Sequence, residues 1–448
     1  MSELAELRVG DHVGFLSGYP FSSAYFNGEK GVRLIRIRDL LGGDDNAIYF
    51  SGPFDLRWLI KEGEVLIGMD GDFNIVRWKS DPALLNQRIL KVEGRPNSKI
   101  THDYFYYWCG PRLLEIHART AATTVKHLSV RDLERAVGKF PSVNEQRRIA
   151  TILTTLDEVI KATEELVEKH QQIKAGLMHD LFTRGLWTRP ELARGDHHGL
   201  PCEATAQEGE LRPTPEDAPG LYQDSPIGLV PKEWEVDRAG NLLARIEQGW
   251  SPDCESVPPE VNEWGVLKTS AVVWDGFEPR ESKRLPGHLW PRTEYKVSKG
   301  DVLMTRAGPN SRVGVVALVN TSEGNLMISD KIYRCVPNDR VEPEFLVLAL
   351  TSEGTQHVLE GYKTGLAESQ TNISQAIVRK LWIPLPKTDE RTLICELAAT
   401  VSKQLRATNT HLAKLRQQKQ GLMQDLLTGR IRVNRTATSN PNNETKDF

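Results

Sequence analysis

Residues 141–184 read PSVNEQRRIATILTTLDEVIKATEELVEKHQQIKAGLMHDLFTR, and residues 386–429 read PKTDERTLICELAATVSKQLRATNTHLAKLRQQKQGLMQDLLTG. The two align without a gap, 245 positions apart. Each opens on a proline followed by acidic and polar residues, a helix start, and each closes on GLMxDLxT with Gly185 or Gly429 as a stop. Between those signals Ile149, Ile152, Leu156, Ile160, Thr163, Val167, His170, Lys174, Leu177 and Leu181 recur as Ile394, Leu397, Val401, Leu405, Thr408, Leu412, Leu415, Lys419, Leu422 and Leu426. Spacings of three and four over this length predict a coiled-coil seam. About 38 residues at about 1.5 Å each make a rod of about 57 Å. One such helix alone is marginal, so the two are expected to pack on each other as an antiparallel pair. The residues expected to carry that packing are Ile149, Leu156, Ile160, Gly176 and Leu177, with Ile394, Val401, Leu405, Gly421 and Leu422. A glycine at the same place in both copies costs helix stability and suggests close approach by another element. Lys174 and Lys419, polar in a seam, either fix its register or snorkel at its rim.

Working outward, the stretches 1–140 and 233–386 resemble each other in blocks. VRLIRIRDL (32–40) corresponds to VLKTSAV (266–272), and EGEVLIGMDGDFN (62–74) to KGDVLMTRAGPN (299–310). LLNQRILKV (84–92) corresponds to MISDKIYRC (327–335), and KHLSVRDLERAVGKFP (126–141) to TNISQAIVRKLWIPLP (371–386). The offset drifts from 234 to 245, as loops of different length between common strands would make it. Alternating apolar residues in VLIGM, RILKV, VLMTR and KIYRC predict short half-buried strands. The fold class expected is α+β: two similar strand-rich domains and a pair of long helices, related by a pseudo-two-fold. The predicted divisions are a first domain 1–140, a central helix 141–186, a linker 187–232, a second domain 233–386, a C-terminal helix 387–433 and a polar tail 434–448. The linker is rich in Pro, Gly and acidic residues, with four Lys/Arg against eight Asp/Glu, and reads as an extended connection. His197 and His198 fall in it and read as solvated.

With 448 residues, 39% apolar and 26% charged, the chain has the composition of a soluble globular protein. No apolar run approaches the ~20 residues needed to cross a bilayer, and MSELAELRVGD is not signal-like, so a cytoplasmic location is expected. The five cysteines are scattered without ligand spacing, which argues against both a disulfide framework and a zinc site. A net charge of −3 does not announce a polyanion binder. Residues 1–140 carry 19 Lys/Arg against 18 Asp/Glu, 233–386 carry 17 against 21, and only 389–433 are clearly basic at eight against four. There is no GxxxxGK[ST] loop, no GxGxxG after a strand, no NPPY tetrad, and neither HExxH nor GxSxG. In MDGDFN (69–74), Asp70 and Asp72 are spaced like calcium-loop ligands, but no glutamate follows at the required distance, and a turn between strands is the better reading. No catalytic or metal-ligating residues emerge, which favours a binding subunit.

The motifs FPSVNEQRRIA (140–150), IPLPKTDERTLI (383–394) and KQGLMQDLLTGRIRV (419–433) resemble the helical regions of type I restriction–modification specificity subunits. DSPIGLVPKEWEV (224–236) resembles that family's entry into its second recognition domain. The pattern departs from the family at DERTLICE, where Arg391 and Cys395 stand in place of the usual Gln and Ala. The resemblance implies a non-catalytic DNA-binding subunit. Each recognition domain would read half of an interrupted double-stranded site, with the helix pair setting the gap. It implies two methyltransferase subunits docked on the helices, restriction–translocase subunits for cleavage, and S-adenosylmethionine, ATP and magnesium held by those partners. Base edges are read by Arg, Lys, Asn and Gln, and phosphates by Ser, Thr and amides. The candidate contacts are therefore Ser22, Ser23, Arg36, Arg38, Asn74, Arg77, Gln87 and Arg88 in the first domain. In the second they are Lys268, Thr269, Ser270, Arg306, Asn310, Arg312 and Lys331. Trp58, Trp78, Trp108, Trp250, Trp274 and Trp382 read as core. The rival reading is a coiled-coil scaffold that binds proteins and not DNA, which the near-neutral domains would suit.

Overall fold

A computed structural model describes residues 4–42, 47–120, 126–189, 191, 208–321, 324–364 and 371–433. His197, His198, Cys202 and the tail 434–448 lie outside the described residues. The chain divides into two compact units, residues 1–164 with 411–448, and residues 165–410.

The first unit is built on a four-stranded antiparallel sheet. Its strands are β1 (Val13–Ser17), β2 (Val65–Gly68), β3 (Ile75–Arg77) and β4 (Ile89–Gly94), in the order β1-β4-β2-β3. The second unit repeats it with β5 (Leu243–Gln248), β6 (Val302–Thr305), β7 (Val316–Leu318) and β8 (Ile332–Pro337), in the order β5-β8-β6-β7. Leu90 faces Ser17 in the first, and Tyr333 faces Gln248 in the second. Each unit adds a second sheet containing one parallel pairing, Leu34 with Leu84 and Val266 with Met327. Two long helices complete the fold, the central helix Val143–Thr183 and the C-terminal helix Thr388–Leu427.

The strands differ from the half-buried expectation. β2 and β6 are buried at every residue. Val65 and Ile67 face the helical side with Phe105 and Trp108, while Leu66 faces the second sheet with Leu85 and Trp78. A layer on each face leaves no wet side, so the strand reads as a continuous apolar run. The block pairing of 32–40 with 266–272 also shifts: the short helical turns Ile37–Asp39 and Thr269–Ala271 occupy the same place, an offset of 232.

Within each unit the helices lie antiparallel. In the first, Lys419 pairs with Asp157 at 2.6 Å and Arg416 with Glu164 at 2.7 Å. In the second, the Thr408 hydroxyl lies 3.3 Å from His170 Nδ1. Leu422, Met423 and Leu426, from the end of the C-terminal helix, sit in the core of the first domain with Ile149 and Leu153. Leu177, Met178 and Leu181, the matching end of the central helix, sit in the core of the second domain with Ile394. The duplicated GLMxDL motif is thus an anchor onto the domain that precedes the other helix.

Several packing expectations are revised. Ile152 and Leu397 are 38% and 36% exposed, and Leu153 and Ala398 turn inward instead. Alternating steps of four and three then run from Ile149 to Leu181. Gly176 and Gly421 are exposed, and a Cβ on either would meet nothing within 4 Å, so no described element approaches them. Lys174 pairs with Asp275 of the second domain at 2.8 Å. The linker is more structured than its composition suggested. Tyr222–Ser225 and Gly228–Pro231 form a hairpin, and Arg212 is buried against Glu191 (2.7 Å) and Glu390 (2.5 Å). The four described cysteines are free thiols, and no described helix is long and apolar enough to cross a membrane.

Candidate nucleic-acid interface

At one edge of each unit, loops from successive strands are locked together by the same backbone bonds. After β1 the chain crosses the loop that leads into β4, and Tyr19 N–H donates to Leu85 O at 2.9 Å. After β5, Trp250 N–H donates to Ile328 O at 3.2 Å, the equivalent atoms. The crossing is so close that only glycine fits at its start. A Cβ on Gly18 would lie 1.9 Å from Asn86 O, and one on Gly249 would lie 1.8 Å from Ile328 O. A second pair of bonds joins the turn after the next strand, Met69 N–H to Arg88 O and Arg306 N–H to Lys331 O, both 2.9 Å. A third ties in the chain before the last helical turn, Leu128 N–H to Met69 O at 2.7 Å and Ile373 N–H to Arg306 O at 2.9 Å. These bonds make a rigid loop platform, and rigid support is what precise recognition by side chains needs.

The predicted contacts divide on this platform. Gln87, Arg88 and Lys331 are exposed at its centre, and Ser22 and Ser23 are exposed on the crossing loop. Arg88 takes φ +73°, an uncommon conformation for a residue with a side chain. Its guanidinium lies 3.2 Å from His127 Nδ1, which is 2.6 Å from Asp70. Arg38 is exposed on the turn Ile37–Asp39, while Asn74, Thr269 and Arg312 are half-buried. Others are engaged within the fold. Arg36 closes its own turn on Asp39 at 2.9 Å, and Arg77 reaches Asp103 at 2.7 Å beside the Tyr106 ring. Arg306 covers Tyr333 and donates to Asp330 O. Ser270 and then Lys268 hold the Glu281 carboxyl below its ordinary value, and Asn310 donates to Glu360 at 2.9 Å.

Beside the centre sit Trp58 and Trp250, read as core, with arginines that sequence reading passed over. Trp58 lies tilted against Tyr19, centroids 4.3 Å apart, and Arg57 lies over Trp58 at 3.9 Å. In the second unit Arg292 lies over Trp250 at 4.3 Å, and Ser251 hydrogen-bonds Asp330. Trp290, two residues before Arg292, is 89% exposed. Of the tryptophans read as core, Trp78 and Trp108 are buried, whereas Trp274 is 49% exposed. The one signal for the arginine stacks was an Arg next to a Trp in RW (57–58). WPR (290–292) does not even name the right ring. Among the described residues no group of three or more His, Cys, Asp or Glu converges. The arrangement presents fixed donors and stacked cations on an open surface, which is chemistry for binding.

Residues 17–175 match a family model described as the type I restriction modification DNA specificity domain. Over 184 residues the chain is 42% identical to the type I restriction enzyme EcoEI specificity subunit of Escherichia coli, covering 41% of this chain and 31% of that subunit. The match thus spans less than a third of that relative's length. Over 435 residues it is 27% identical to the type I restriction enzyme EcoBI specificity subunit of Escherichia coli, covering 93% of this chain and 83% of that one. The crystal structure of a type I restriction–modification system S subunit from M. genitalium has the same fold, with a TM-score of 0.59 at 13% identity, over 94% of this chain and 95% of that one.

Proposed function

We propose that this chain is a type I restriction–modification specificity subunit, the DNA-reading member of such a complex, each domain reading one block of an interrupted site. The observation that carries the reading is a relationship to a specificity subunit over 93% of the chain, spanning both halves. The repeated loop platform supports it, because two similar binding surfaces on one chain suit a two-part target. Catalysis then belongs to partners: methyltransferase subunits that bring S-adenosylmethionine, and restriction–translocase subunits that use ATP and magnesium. Exposed apolar residues of the central helix support a helical partner. Ile152, Val159, Leu166 and Ile173 recur every seven residues and are 38%, 41%, 43% and 48% exposed. Apolar side chains at heptad spacing are of the kind that a second helix covers. The matching positions of the C-terminal helix are Leu397, Gln404, His411 and Gln418, of which only the first is apolar.

The test is to express the chain with its methyltransferase partner in a host without other modification systems and sequence the methylated genome molecule by molecule. The expected result is a motif of two short blocks separated by an unread gap. Binding of the reconstituted complex to that site should fall steeply with salt, as counterion release requires. A contiguous motif, or no methylation with protein partners still bound, would overturn the reading and leave the scaffold.

A further inference from the structure

The two platforms share one feature that no alignment of their sequences contains. Strand pairing equates Ser17 with Gln248, so Tyr19 and Trp250 occupy the same place, each just after the pinching glycine. Carried back from the block 62–74 to Arg57, the offset of 237 equates Arg57 with Glu294 and Trp58 with Tyr295. The matched turns Leu56–Trp58 and Thr293–Tyr295 agree with it. Yet in each unit an exposed guanidinium lies over an aromatic ring beside the platform centre. In the first unit it is Arg57, over Trp58, which in turn lies tilted against Tyr19. In the second it is Arg292, the residue just before the matched turn, lying directly over Trp250. The same object is built twice from positions two residues apart in the matched frame.

We propose that Arg57 and Arg292 are base-reading residues, one in each domain, whose guanidinium edges donate to a guanine in the half-site that domain reads. The inference rests on the DNA-reading function proposed above. A ring under the guanidinium restricts its motion and leaves its in-plane N–H groups free at the edge, and guanine O6 and N7 accept such a pair. Cation–π contact also favours the charged group at low ordering cost. Among the described residues Arg57 pairs with Asp55, at 3.5 Å with both side chains more than half exposed, a weak surface pair that an incoming base can displace. Arg292 makes no ion pair among the described residues. Arginines set two residues apart in the matched frame let the two domains present a guanidinium at different base positions. Long unstacked cations nearby, such as Lys331, are better suited to phosphate.

The test uses the full chain reconstituted with its methyltransferase subunits. Arg57→Ala, Arg292→Ala and the corresponding Lys variants are assayed on a library randomised across both half-sites, with thermal unfolding as a control for folding. Each Ala variant is expected to relax one base position, in one half-site for Arg57→Ala and in the other for Arg292→Ala. Affinity for the cognate site should drop roughly 5- to 150-fold. Lysine should restore the lost preference only in part, since its ammonium lacks the planar fork that the ring holds in place. A uniform loss with unchanged base preference and a salt slope lower by about one would make these phosphate contacts and overturn the proposal. So would no effect, or full rescue by lysine. If the wild-type complex shows no bipartite preference, it is the DNA-reading function that fails, and the two failures are distinguishable.

Discussion

Glu145 and Glu390 stand 245 positions apart and hold the start of each long helix to the chain that follows the other. Glu145 accepts from Arg432 at 2.7 and 2.8 Å and from Val433 N–H at 3.1 Å. Glu390 accepts from Arg212, from Leu186 N–H at 2.7 Å and from the Trp234 indole at 2.9 Å. The next position shows why the motif could diverge: Gln146 accepts from Thr101 N–H, whereas Arg391 pairs with Glu342 at 2.8 Å, a matched change of both partners. The hydrogen bond from Arg432 holds the Glu145 carboxyl below its ordinary value. Its contribution is therefore complete above the unfolded carboxylate pKa, about 4.3, and is lost as pH falls through the lower folded value. Glu145→Gln should be less stable than wild type at neutral pH, and the difference should shrink on acidification, as followed by thermal unfolding from pH 7 to 3. Arg212 is buried with Glu191 and Glu390, so Arg212→Leu leaves two carboxylates without their cation and should cost about 3–5 kcal/mol in denaturant unfolding. Of the contacts named from residue type, Arg36 and Arg77 are bound to Asp39 and Asp103. Side-chain identity announces a cation but not which carboxylate the fold will lay beside it.

At the scale of elements, the repeat predicted two helices, and the structure shows where their ends go. Leu426 is 4% exposed in the core of the first domain. Leu426→Ala should destabilise by about 2–5 kcal/mol. The loss of hydrogen-exchange protection should fall on residues 89–113 and not on 302–350, although Leu426 belongs to the second copy of the repeat. Leu166→Asp places a charge in the middle of the exposed heptad stripe. It should weaken co-purification with the methyltransferase subunit while leaving the melting temperature within about 2 °C, because the residue is 43% exposed. The strand blocks were legible because apolar pattern follows burial. Their half-buried reading failed because a four-residue strand such as VLIG carries no sign of whether one face or both will be covered.

For the molecule as a whole, two units each carry a loop platform, and two continuous helices belong in part to each. If the helix pair measures the gap, length must be added to both helices to keep their seam in step. Inserting seven residues after Glu164 and seven after Thr410 lengthens each helix by about 10 Å, which is about 3 base pairs of duplex. The methylated motif should then keep both blocks and widen its gap by that amount. A changed block would show that the domains do not read independently of the helices.

The sequence by itself determined the duplication, the two long helices, the strand blocks and the likeness to specificity subunits. All of these live in local periodicity or in motifs read in one pass along the chain. Only the tertiary structure decided which domain each GLMxDL end enters, why Gly18 and Gly249 must be glycine, and which arginines are free. The reason is physical. Packing of a helix end, closeness of two backbones and stacking of Arg292 on Trp250 depend on segments tens to hundreds of positions apart, brought together by burial that no local pattern records.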